Sequence, residues 1–92
     1  MAIVEYEGKK YDTGYEFEWL QDDANSIKCN CHHYMDNSVT EAEKEELQLI
    51  ASQMAELEQS YELMDSIKAI LETRKELKVL SQKIHEKYGK RQ

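Results

Sequence analysis

Proline is absent from this chain of 92 residues, glycine occurs three times and cysteine twice. Cys29 and Cys31 stand one residue apart, and a bridge between positions i and i+2 closes almost no loop, so it would stabilise little. Small secreted domains carry more cysteines and spread them to staple distant segments, so reduced thiols in a cytoplasmic chain are expected here. No apolar run approaches the roughly 18–20 residues that span a bilayer. The start, Met1-Ala2-Ile3-Val4-Glu5, lacks the basic residues and apolar stretch of a signal peptide. Also missing are a glycine-rich phosphate loop, a G-x-S-x-G elbow and an H-E-x-x-H pair. These absences argue against a membrane segment, a cofactor and an enzyme.

Charge is what the chain has in excess, and it is unevenly placed. The net charge is −7. Residues 1–67 carry sixteen acidic and four basic side chains, whereas residues 68–92 carry three acidic and eight basic ones. The acidic part repels phosphates, so direct nucleic-acid binding is not expected, and the basic tail is too short to reverse that.

Residues 1–36 read as strands. Tyr15-Glu16-Phe17-Glu18-Trp19 alternates aromatic and acidic residues, the pattern of a strand with one buried face. Val4 and Tyr6 fit a preceding strand, with Gly8-Lys9-Lys10 as a turn, and the cluster Gln21 to Asn25 supplies a second turn. A third strand runs from Ser26 to Met35, with Ile27, Cys29, Cys31, His33 and Met35 on one face. Short connections make these a three-stranded antiparallel meander.

Residues 40–88 read as helix. Thr40 and Glu43 form a capping box, and no glycine or proline follows from Glu41 to Tyr88. Gly89 is the expected C-cap, with Lys83, Lys87, Lys90 and Arg91 near the negative end. Leu47, Ile50, Met54, Leu57, Tyr61 and Met64 form one apolar stripe at 3-4-3-4-3 spacing. A second stripe, Ile67, Ile70, Leu77, Leu80, Ile84 and Tyr88, points to the opposite side of a straight helix. The chain therefore either turns back near residues 60–66, with Asp65 or Ser66 capping a second helix, or runs on as one helix about 72 Å long. The turn is favoured, because it packs an acidic helix (41–59) antiparallel to a basic one (66–88). Two opposed stripes also suggest a homodimer, with Leu47, Ile50, Met54, Leu57, Leu77, Leu80 and Ile84 in the helix packing or the dimer seam.

Cys29-Asn30-Cys31-His32-His33 is the one cluster with metal-ligand chemistry. Cys29, Cys31 and His33 on one strand face could hold zinc, yet no second ligand pair at zinc spacing exists. Burial of both cysteines as small apolar side chains beside Ile27, Phe17 and Trp19 is expected instead. A cysteine nucleophile is disfavoured among so many carboxylates.

The reading is thus an α+β fold forming a single domain over residues 1–92, with a three-stranded meander (1–36) and a helical hairpin or one long helix (40–88). Its expected role is non-catalytic binding of another protein with a basic surface, as inhibitor or regulator, through Glu16, Glu18, Asp22 and Asp23. A protein groove that normally holds nucleic acid is one example of such a basic surface. In size and charge alone the chain resembles phage-encoded inhibitors of host defence proteins. The rival expectations are an adaptor that dimerises through its helices and a small zinc-binding module.

Overall fold

The computed structural model describes residues 3–91. Met1, Ala2 and Gln92, at the ends of the expected domain, and the side chain of Arg91, expected at the last helix terminus, lie outside the description. The class is α+β, but helix dominates: two short strands, β1 (Ile3–Tyr6) and β2 (Lys9–Asp12), precede three helices.

The strands pair antiparallel, with Val4 opposite Tyr11 and Glu5 opposite Lys10. An apolar pair and an opposite-charge pair across the ladder each favour this register. The turn is Glu7-Gly8, at φ 49° and 80°, so Lys9 and Lys10 belong to β2 and not to the turn. Positive φ at both positions of a two-residue loop matches the right-handed twist of the strands, and glycine takes the second position without strain.

The expected second and third strands are instead one helix, α1 (Thr13–Met35). Asp12 starts it, its Oδ1 accepting from the backbone N–H groups of Gly14 at 2.9 Å and Tyr15 at 3.2 Å. The alternation over residues 15–19 is five residues long. It is outweighed by Phe17, Leu20, Ala24, Ile27, Cys31 and Tyr34, a 3-4-3-4-3 series of buried side chains. The expected turn at Gln21–Asn25 lies mid-helix.

The expected helical region divides into α2 (Glu41–Glu58) and α3 (Ile67–Tyr88), with a 3-10 turn at Tyr61–Asp65 between them. The long rod is therefore excluded. At the start of α2, Glu43 N–H donates to Thr40 Oγ1 (3.1 Å) and Thr40 N–H donates to Glu43 Oε1 (3.0 Å), the anticipated capping box. Ser66 caps α3 through Ala69 N–H at 3.2 Å. Gly89 follows the helix end in an ordinary right-handed conformation, φ −64°.

α1 is the centre of the molecule. It runs against α2, where Gln21 Nε2 donates to the Glu58 carbonyl (2.8 Å) and Lys28 pairs with Glu58 (2.8 Å). It runs alongside α3, where Glu16 and Asp23 meet Arg74 near one end and Tyr34 stacks on Tyr88 at the other. Both apolar stripes of the helical region thus pack against α1 for most of their length, with Tyr61 and Met64 left exposed. α2 and α3 lie chiefly on α1, and not on each other as the expected hairpin had them. Leu47, Met54, Leu77 and Ile84 are core, and Ile50, Leu57 and Leu80 pack against it half-buried. The stripes no longer require a second protomer, because the missing partner surface is α1 itself.

Candidate protein-binding surface

With residues 13–35 helical, the four expected contact carboxylates take two different roles. Successive residues on a helix turn by about 100°, so Glu16 and Glu18 point to opposite sides. Glu16 is 8% exposed and its Oε2 accepts from Arg74 at 3.2 Å. Asp23 Oδ2 accepts from Arg74 Nε at 2.9 Å. Burial works against the Arg74 charge, but the hydrogen bond and charge of Asp23, with those of Glu16, outweigh it and hold the guanidinium above its ordinary pKa. Glu16 and Asp23 are therefore both engaged with Arg74 inside the chain, Glu16 almost out of solvent and Asp23 still 40% exposed. Glu18 and Asp22 are exposed, four residues apart on the outward face of α1.

The aromatics divide as well. Phe17 is buried and its ring packs 5.5 Å from that of Tyr61. Tyr15 and Trp19, expected beside it in the core, are 56% and 49% exposed. Their rings stack at 6.5 Å and 25°. The Arg74 guanidinium sits over the indole at 5.7 Å from its centroid. An arginine held by two carboxylates and lying on a tryptophan favours the ring orientation that keeps this contact. Glu18 lies three residues beyond Tyr15, and Asp22 three beyond Trp19, so each carboxylate neighbours a ring. The outward face of α1 is a stacked aromatic pair bordered by two carboxylates, Glu18 and Asp22, that find no cation among the described residues.

Arg74 was not legible as part of this surface. Its partners lie 51 and 58 positions away. The available signal was a lone arginine in the lysine-rich stretch from Lys68 to Lys90.

The helix also separates the cysteine–histidine cluster. Cys31 is buried and Cys29 is exposed, so only one of the two is the expected core residue. Burial pushes the Cys31 thiol up to about 11, which keeps it protonated and unreactive. His33 is exposed, its ring 5.7 Å from that of Tyr34. Among the described residues no three His, Cys, Asp or Glu side chains are grouped to hold a metal ion, so Cys29, Cys31 and His33 do not form the shared face that zinc would need. Nor is any described helix long and apolar enough to cross a membrane.

Compared with protein-family models, curated proteins and solved structures, the chain finds no match. The surface has to be interpreted from its own chemistry.

Proposed function

We propose that this protein is a non-catalytic binding module that engages a basic surface of another protein through the outward face of α1, as an inhibitor or regulator of that protein. The observation that carries the reading is the half-exposed Trp19, stacked on Tyr15 and held by Arg74 beside Glu18 and Asp22. Rigid aromatics lose little entropy on binding and dominate interface energetics, and surrounding carboxylates steer a cationic partner and select against an anionic one. A partner whose groove normally holds nucleic acid fits this chemistry, because the same cations that neutralise phosphates would meet Glu18 and Asp22.

The test begins with affinity capture from the native host, followed by titration with the purified partner. Trp19 is the only tryptophan in the chain, so its fluorescence reports contact directly. Trp19→Ala should weaken binding by about 2 kcal/mol, roughly thirtyfold, as for a central interface aromatic. Glu18→Lys with Asp22→Lys should weaken it further at low salt than at high salt. A partner that binds these variants as tightly as the parent chain would move the interface off α1.

A further inference from the structure

A groove lies between the β-hairpin, α1 and α3, and its charge runs against that of the chain. Leu71, Leu77 and Ile27 contribute apolar surface to it, and Lys68, Lys75 and Lys78 stand along it. Arg74 and Asp23 also line it but neutralise each other. Glu7 and Glu72 are its remaining acidic groups. Among the described residues, Lys68, Lys75 and Lys78 have no carboxylate within ion-pair distance.

The outward face of α2 is the counterpart. Glu41, Glu45, Leu49, Ser52 and Glu56 follow one another at 4-4-3-4 spacing and are all exposed. Leu49, 59% exposed, has carboxylates on its own stripe on both sides. Glu41, Glu45 and Glu56 find no cation within the chain among the described residues. From Glu41 to Glu56 this ridge is about 22 Å long, and the groove from Lys68 to Gln82 about 21 Å. The ridge sets a leucine among carboxylates, and the groove's α3 stripe of Lys68, Leu71, Lys75 and Lys78 sets one among lysines, with Glu7 and Glu72 elsewhere on its lining. Inside one chain the pairing of α2 with α3 is represented by Lys87–Glu46 (3.0 Å) at one end, which uses none of Glu41, Glu45, Glu56, Lys68, Lys75 and Lys78.

We propose that two copies of this chain associate by laying the acidic α2 ridge of one in the basic groove beside α3 of the other. Leu49 meets the apolar floor near Leu71, and Glu45 and Glu56 meet the lysines. Ridge and groove are unlike patches, so the contact closes as a dimer when a two-fold axis engages both pairs, and otherwise extends to further copies.

The experiment is sedimentation or light scattering on the full chain at about 0.1 M and about 1 M salt. At 0.1 M the Debye length of about 10 Å mutes long-range repulsion between copies of net charge −7 while leaving contact pairs intact. Association above 10.9 kDa is expected at 0.1 M and at least a tenfold weaker association at 1 M. Lys75→Glu with Lys78→Glu, and separately Glu45→Lys with Glu56→Lys, should each be monomeric with unchanged helical content. Mixing these two variants restores complementary signs at both contacts and should restore association. A parent chain of 10.9 kDa at every concentration up to about 1 mM, association that survives in either variant, or a mixture that stays monomeric would overturn the proposal.

Discussion

Arg74 lies over Trp19, 5.7 Å from the ring centroid, while the same guanidinium holds Glu16 and Asp23. One side chain from α3 thus does two things to α1. It compensates a carboxylate that the fold has taken out of water, and it lies over the exposed ring.

Removing it should have a structural cost. In Arg74→Ala the nearly buried Glu16 carboxylate loses its cation, and stability should fall by about 2 kcal/mol, below the full cost for a deeply buried pair because Arg74 is itself a third exposed. Arg74→Lys keeps the charge but not the planar fork, and should fall between. Denaturant unfolding measures both. A loss under about 0.5 kcal/mol for Arg74→Ala would mean that Glu16 is solvated.

Asn25 discriminates helix from turn at the centre of α1. It is exposed, so its replacement removes no packing. Proline there deletes a backbone hydrogen bond and clashes with the preceding turn, at a cost of about 3 kcal/mol or more. In a loop between two strands Asn25→Pro would be tolerated. Thermal unfolding of this variant at an unchanged temperature would refute the helix.

The two thiols should behave differently. Cys29 is exposed and should react readily with a thiol reagent near pH 8, whereas Cys31 should react only on unfolding. The Cys31 thiol ionises at about 11 in the fold against 9.0 for an ordinary one. As pH rises through this window the unfolded chain loses that proton first, so the contribution is fully present below about pH 9 and is lost towards pH 11. Tyr88, raised mainly by burial, adds a loss of the same sign. Cys31→Ala should therefore show a shallower decline than the parent in urea titrations between pH 9 and 11; equal slopes would count against a buried thiol.

Leu77 and Val79 sit two residues apart on α3 and should respond differently to truncation. Leu77 is 4% exposed and Val79 is 50% exposed. Leu77→Ala should cost about 2–4 kcal/mol, and Val79→Ala within about 0.5 kcal/mol. Measured at 1 M salt, the Leu77 loss should not depend on protein concentration, because its neighbours belong to the same chain. A concentration-dependent loss would return Leu77 to a seam between copies.

Local chemistry made much of this protein legible in advance. Thr40 and Glu43 satisfy each other's backbone donors whatever surrounds them, and Ser66 caps α3 through a group three residues on. The switch of apolar stripe between Met64 and Ile67 favoured a break over one long helix, and the break is there. The opposed charges of α2 and α3 could likewise be counted from the residues alone. What the sequence left open was how residues 13–35 would be used. Tyr15 and Trp19 are next-but-one to Phe17, as on a strand face, but also four apart, as neighbours on a helix. Over five residues the two periods cannot be told apart. The decision came from Leu20, Ala24, Ile27, Cys31 and Tyr34, which gain their value only when α2 and α3 are present to cover them. For the same reason only the tertiary structure could say that Phe17 turns inward while Trp19 turns outward, and that Glu16 and Asp23 are spent on Arg74. Those contacts join residues more than fifty positions apart, and no local propensity distinguishes a carboxylate that will face water from one that will meet a distant guanidinium.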